Sequence, residues 1–258
     1  MDANEHDELA AMNAPRFPRR KFFFALVAFF AVKFGGMNCI VTAGPTFEPL
    51  DDVRRLTNFS TGRLGTELAN FLAARGHRVT LLIGESATYA GARRAQSVKV
   101  FSTTADLRAR LQAFSGRKVD AIFHAAAVSD FGFGQMFAES KPGEFVAQKK
   151  HRKISTRQGS LLVELVPTPK IIAALRGWFP KTKIIGWKFE ADGSRASVLR
   201  AAERQLRDCA TDYCVANGPA YGQGFNLVSA SGQKHYATTG GLLPALACLL
   251  KGKMKHEE

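Results

Sequence analysis

Several stretches of this chain hold residue types suited to binding a phosphorylated ligand. The loop Gly44-Pro45-Thr46-Phe47-Glu48-Pro49 leads on to Asn58-Phe59-Ser60-Thr61-Gly62-Arg63. Ser60 and Thr61 stand just before a helical pattern, where they can cap the helix. The free backbone N–H groups and the dipole of that helix end make a site for an anion. Gly62 lets the backbone approach a phosphate, and Arg63 adds charge. The same residues also suit a plain capped helix after a wide loop. A second stretch is Ala125-Ala126-Ala127-Val128-Ser129-Asp130-Phe131, whose small residues leave room for a ligand. Asp130 can accept a hydroxyl or hold a cation's waters, or simply close a turn. The basic cluster Lys149, Lys150, His151, Arg152, Lys153 and Arg157 follows, either as a solvated face or with one member turned to a phosphate. In Gly186-Trp187-Lys188-Phe189-Glu190 the aromatics can pack on a base or belong to the core. Asn217, at the end of a strand pattern, can read a base edge or a ribose.

Those residues need elements to hold them. Residues 38–43 form an apolar run ending in the turn signal Gly44-Pro45. Leu64, Leu68, Phe71 and Leu72 fall on one helical face over 62–75, stopped by Gly76. Strands are expected at 79–83 and 98–101, then a short helix through Leu107, Leu111 and Phe114. The longest apolar run, 119–128, suits a central parallel strand buried on both faces. A strand at 161–166, a helix at 169–178 and a strand at 183–187 follow. A helix through Val198, Ala202, Leu206 and Cys209 precedes a strand at 213–216. Residues 225–229 and 234–236 flank Ser231-Gly232 as a hairpin, and 240–250 is a closing helix. Alternating βα units predict an α/β fold: a Rossmann-like, doubly wound, mostly parallel sheet with antiparallel edge strands near the C-terminus. Ligands bind such sheets at the carboxyl ends of the strands, where all four stretches lie. The stretch 129–159 shows little periodicity and reads as an active-site flap around 131–159.

The chain has 258 residues, with 46% hydrophobic and 22% charged. That composition excludes a largely disordered chain. The four cysteines form no C-x-x-C pair and read as buried thiols in a reducing compartment, not as a disulfide scaffold. The net charge of +14 is compatible with nucleic acid, an acidic membrane surface or small polyanions. Residues 1–36 differ from the rest. Four acids precede five bases, and the apolar run 22–32 is too short to span a bilayer. The segment reads as an unstructured extension, or as lying ahead of a start at Met37, in preference to an export signal. It contributes a net +1, which leaves +13 for residues 37–258, read as one domain. There is no P-loop, no contiguous G-x-G-x-x-G, no Tyr–Lys pair of the short-chain reductases and no G-x-S-x-G elbow. The six histidines lack metal-ligand spacing, so no metal site is expected, and His124 reads as a satisfied core residue.

In their order along residues 38–240, these motifs resemble phosphopantothenate–cysteine ligase (phosphopantothenoylcysteine synthetase), in a stand-alone form. Further matching segments are Lys153-Ile154, Val166-Pro167-Thr168-Pro169, Gly186-Trp187-Lys188-Phe189-Glu190-Ala191-Asp192 and Val215-Ala216-Asn217. The resemblance implies a cytoplasmic enzyme of coenzyme A biosynthesis. It would join 4'-phosphopantothenate to L-cysteine through an acyl-nucleotide, with CTP or ATP as co-substrate and Mg²⁺ carried by the nucleotide. Relatives are commonly dimers, which implies a homodimer. No FMN is implied, because only 37 residues precede Asn38, too few for the flavin decarboxylase domain of bifunctional relatives. No nucleic acid or membrane partner is implied either.

By matching position, Asn58 would hold the acyl carbonyl and Lys153 would offset phosphate charge during transfer. Gly62, Ala126, Asp130, Trp187 and Asn217 would line the nucleotide pocket, together with Gly44, Ser60, Thr61, Arg63 and Lys188. Many bacterial members carry two more lysines shortly after the position of Lys153, where this chain has Ser155 and Thr156. The segment 186–192 and the Ser129-Asp130-Phe131 ending look closer to the eukaryotic-type ligases, so the nucleotide stays open between CTP and ATP. Two readings from other classes stand beside this one. A nicotinamide-dependent reductase lacks its glycine and Tyr–Lys signatures here. A basic nucleic-acid binder lacks aromatics alternating with the basic residues.

Overall fold

A computed structural model describes residues 36–148, 153–155 and 159–250 of the chain. The expectations for the leader, for residues 149–152 and for Arg157 lie outside the described residues. In chain order the elements are β1 (Asn38–Ala43), β2 (Phe47–Pro49), β3 (Arg55–Thr57), α1 (Arg63–Ala73), β4 (Arg78–Gly84), β5 (Ser97–Phe101), α2 (Thr104–Gln112), β6 (Ala121–His124), β7 (Phe131–Lys141), β8 (Glu144–Gln148), β9 (Leu161–Pro167), α3 (Ile171–Trp178), β10 (Lys183–Phe189), α4 (Arg195–Asp208), β11 (Tyr213–Asn217), β12 (Phe225–Ser229), β13 (Gly232–Tyr236) and α5 (Thr239–Cys248).

The main sheet has eight strands in the order β13-β12-β11-β10-β6-β1-β4-β5. Six strands from β11 to β5 run parallel, and β12 and β13 add an antiparallel edge. The doubly wound expectation is borne out. Successive residues of the inner strands point to opposite faces, which explains their near-continuous apolar sequence. Cys39, Val41, Leu81, Ile83 and Phe123 pack beneath Leu68 and Leu72 of α1 and Leu242 and Leu246 of α5. On the other face Ile40, Leu82, Ile122 and Ile184 meet Leu107 and Leu111 of α2 and Ile171 and Leu175 of α3. There α4 also packs, through Val198 and Ala202 on Cys214 and Ala216. Helices α2, α4 and α5 start at the side-chain caps Thr103, Ser194 and Thr238.

The structure differs from the sequence expectation in four places. The central strand stops at His124 instead of running to 128. There Ala125 still donates to the Thr42 carbonyl, but the Ala126 N–H turns to the Thr42 hydroxyl, and a single bridge, Pro45 to Ala127, continues the pairing. The aperiodic stretch 129–159 contains regular structure, because β7 and β8 form a hairpin. The strand at 161–166 does not join the parallel sheet. As β9 it pairs antiparallel with β7, completing a separate three-stranded sheet. The glycines of Phe131-Gly132-Phe133-Gly134 and the register shift after Phe133 hide the period of two in β7. A short hairpin, β2–β3, also lies within the loop after β1.

All four cysteines are free. Cys39 and Cys214 are buried as expected, but Cys209 is half-buried and Cys248 exposed. Burial pushes the Cys39 and Cys214 thiols up to about 12, where they are inert. Among the described residues, no helix is long and apolar enough to cross a membrane.

Helix α1 lies tight on β1 because Gly65 has no side chain. A Cβ there would stand 2.5 Å from the Ala43 Cβ and 3.0 Å from the Thr42 carbonyl oxygen. Both obstacles belong to the innermost strand, so neither can yield cheaply. Gly65→Ala therefore loses about 1–3 kcal/mol of stability, read as a lower urea midpoint. An unchanged midpoint would show that α1 has slack against the sheet.

Candidate active site

The strand order reverses between β1 and β6. In doubly wound sheets this is where ligands bind. A cleft of about 1120 Å³ opens there. Gly44, Asn58, Ser60, Thr61, Gly62, Arg63, Ala126, Asp130, Trp187, Lys188 and Asn217 all line it. Of the expected site residues, Lys153 alone is not among the lining. It is exposed, beside the β2–β3 turn.

The start of α1 is not built as expected. Ser60 and Thr61 do not cap it. Gly62 takes the N-cap position in the left-handed conformation, φ 79°, and no side chain caps the helix. A Cβ at Gly62 would press on Ala87 and Ile83 at 3.0 Å. Thr61 Oγ1 accepts only the Arg63 N–H, at 3.3 Å. The helix end is thus left open for a ligand. A glycine fingerprint that the sequence lacks as a contiguous motif is present here in space. Gly44, φ 78°, makes the turn after β1, Gly62 opens the helix, and Gly65 allows the close helix–strand packing. The turn and the packing are roles of the dinucleotide fingerprint's outer glycines, and Gly62 stands at the helix start between them. Residues 45–61 separate the first glycine from the second, and the surviving signal is Gly62-x-x-Gly65.

Charge is disposed differently from the expectation as well. Arg63 is tied to Glu67 at 2.8 Å, and Lys188 to Glu190 at 3.0 Å. Lys170 and Arg204 also line the cleft, are exposed, and have no ion-pair partner among the described residues. Sequence reasoning passed over both. Lys170 sits at the N-cap of α3, whose start is also without a side-chain cap, and Arg204 lies on α4.

Among the described residues, two buried polar atoms of the cleft lining lack a partner: Trp187 Nε1, a donor, and Asn217 Oδ1, an acceptor. Buried polar groups are normally satisfied, and such exceptions in a cleft suit a ligand's edge. Asn58 is fixed by donating to the Ala127 carbonyl at 3.1 Å. His124, 6% exposed, ends β6 beside Thr42 on β1 and Gly186 on β10. Its Nδ1 lies 2.9 Å from Thr42 Oγ1. That hydroxyl also accepts the Ala126 N–H at 3.1 Å. Expected only as a core residue, His124 is both buried and part of the cleft wall. Burial lowers its pKa to about 4. Among the described residues, no group of three or more His, Cys, Asp or Glu is placed to hold a metal ion.

Residues 34–235 match the profile of the DNA/pantothenate metabolism flavoprotein C-terminal domain. The chain belongs to this family. The resemblance carried by the motif order is thereby borne out. The coenzyme A biosynthesis bifunctional protein CoaBC of Thermococcus kodakarensis is 33% identical over 182 residues, 70% of this chain and 41% of that protein. The chain thus spans less than half the length of the curated relatives it matches. A solved structure of the DNA/pantothenate metabolism flavoprotein from Streptococcus pneumoniae superposes with a TM-score of 0.72 at 26% identity, covering 83% of this chain and 98% of that one. The C-terminal domain of a CoaBC protein shares the fold, with a TM-score of 0.64 at 22% identity, covering 83% and 94%.

The His124 environment makes stability depend on pH in one direction. Its folded pKa of about 4 lies below the ordinary 6.5, so between those values the unfolded chain binds more protons. The stability contributed is complete above about 6.5 and is lost as pH falls toward 4. Going from pH 7 to 4.5 costs on the order of 2 kcal/mol from this residue. Urea titrations at both values should show a smaller loss for His124→Gln than for the wild type. Equal losses would mean that the imidazole is not held neutral.

Proposed function

We propose that this chain is a phosphopantothenate–cysteine ligase. The carboxylate of 4'-phosphopantothenate attacks the α-phosphate of CTP or ATP, forming a C–O–P bond as pyrophosphate leaves. The amine of L-cysteine then attacks the acyl carbon, loses a proton, and releases the nucleoside monophosphate. The product is 4'-phosphopantothenoylcysteine. The substrates supply their own nucleophiles, so the protein's work is alignment and charge stabilisation.

The observation that carries this reading is the make-up of one cleft. It combines an open helix start at Gly62 with the orphaned Trp187 N–H and Asn217 carbonyl, at the switch point of a doubly wound sheet. The first suits phosphates, and the second suits the polar edge of a base. In this reading Gly44, Ser60, Thr61, Gly62, Arg63, Ala126, Asp130, Trp187, Lys188 and Asn217 bind the nucleotide. Asn58 holds the acyl carbonyl through its amide, and Lys153 offsets phosphate charge during transfer. The cleft-lining cations Lys170 and Arg204 add positive field for two polyanionic substrates. Mg²⁺ rides on the nucleotide, with Asp130 the exposed carboxylate of the β6 loop nearest to hand in sequence.

The ligase acts in the cytoplasm as a homodimer. Supporting the dimer, Phe131, Val146 and Leu165, on one face of the three-stranded sheet, are 45–50% exposed, an apolar set that a second copy can cover. The likeness to a bifunctional coenzyme A protein also supports the substrate assignment, while the choice between CTP and ATP is left to experiment.

A pyrophosphate-release assay with 4'-phosphopantothenate, run with CTP and ATP and with and without cysteine, tests the proposal. Release dependent on phosphopantothenate is expected with at least one nucleotide; none with either would sink the reading. Lys153→Ala should slow release about 100-fold or more, and unchanged release would remove Lys153 from the transfer step. Asn58→Asp should slow the cysteine step, so that acyl-nucleotide persists in quenched samples. Normal turnover would take Asn58 out of the site.

A further inference from the structure

The β2–β3 turn contains a carboxylate with more contacts than the turn needs. Asp51 Oδ1 accepts the backbone N–H groups of Val53 at 2.9 Å and Arg54 at 2.8 Å, which closes the turn. Oδ2 reaches far along the chain and accepts the Ile154 N–H at 3.1 Å. Arg54 Nη2 lies 2.8 Å from the same oxygen and donates to the Ile154 carbonyl at 2.7 Å. One ion pair therefore takes up both backbone polar groups of Ile154. The Ile154 side chain is 6% exposed, and the Asp51 side chain is fully buried.

Burial by itself would push the Asp51 carboxyl up. The three backbone N–H donors and the Arg54 guanidinium outweigh it and hold the group below the usual carboxylate range. A buried carboxylate is tolerated only with its donors in place. Oδ1 alone closes the turn, so the second oxygen serves the segment 153–155. That segment holds Lys153, a point charge on a long flexible stem, whose use depends on where its backbone is held.

We propose that Asp51 is a positioning residue of the ligase: with Arg54 it clamps the backbone of Ile154 and so sets the place of Lys153 in nucleotidyl transfer. The inference rests on the ligase reading for its functional half, and on the hydrogen bonds above for its structural half. Displacing a group by about 1 Å can cost about 100-fold in rate, so the clamp acts on turnover and not on ground-state binding.

The test uses the full chain and two readouts. Amide exchange at Ile154, measured by NMR, should be slow in the wild type and about 10-fold or more faster in Asp51→Asn, which loses the charge but keeps the shape. In the pyrophosphate assay Asp51→Asn should lower kcat about 10- to 100-fold while KM for the nucleotide stays within about twofold. Adding Lys153→Ala to Asp51→Asn should cost little more than Lys153→Ala alone, since both changes remove the same positioned charge. Additive losses, or an unchanged kcat, would overturn the positioning role. A fast-exchanging Ile154 amide in the wild type would overturn the clamp itself, and that measurement does not depend on any variant folding. A wild type that releases no pyrophosphate would overturn the ligase reading and the role of Lys153 with it, while a protected Ile154 amide would leave the clamp standing.

Discussion

The cleft depends on how the ends of β1 and β6 are tied together after they leave the sheet. Thr42 holds Ala125 by its carbonyl and Ala126 by its hydroxyl. Beyond it, Gly44 accepts the Ala127 N–H at 3.0 Å, and Thr46 donates back to the Ala127 carbonyl at 3.1 Å. The buried Thr46 hydroxyl then accepts the Ser129 N–H at 2.8 Å. These bonds prolong the β1–β6 pairing past the sheet, through a bridge between Pro45 and Ala127, into a mouth whose backbone groups are satisfied. Asn58, the open start of α1 and the neutral His124 all take their positions from this mouth. A site built this way is set before any ligand arrives, which is what alignment-based catalysis requires.

Much of the fold was legible because the inner strands are buried on both faces, and continuous apolar runs mark such strands plainly. The strand at 38–43 and the helical face Leu64, Leu68, Phe71 and Leu72 fall where the pattern put them. The three-stranded sheet was not legible. Its strands are half-exposed, interrupted by glycines and paired across a register shift, so neither a period of two nor an apolar run survives. The site divides in the same way. Positions reached through motif order line the cleft, because the loops at strand ends carry them. Lys170 and Arg204 were passed over, and His124 reads from the sequence only as core, since each looks ordinary until the fold sets it at the cleft. The split glycine fingerprint was missed for a related reason: a hairpin separates two residues that adjoin only in space.

The basic charge has a mixed origin. Lys170 and Arg204 line the cleft without an ion-pair partner among the described residues, whereas Arg63 and Lys188 are already paired with carboxylates. Other cations cover aromatic surface away from the cleft. The Arg75 guanidinium lies 3.4 Å from the Phe71 ring centroid, Arg55 lies 4.5 Å from Phe47, and Lys99 and Arg117 flank Phe114. Such side chains shield apolar rings with their stems and keep their charges in water. Part of the +14 therefore belongs to packing, and only part to ligand binding.

The central claim is that the substrate's own carboxylate attacks the nucleotide in this cleft. Oxygen exchange labels that bond directly. With heavy oxygen in the carboxylate of 4'-phosphopantothenate, the account predicts that the nucleoside monophosphate formed in the presence of cysteine carries one labelled oxygen, seen by mass spectrometry. Product formation with all of the label absent from the nucleoside monophosphate would contradict it.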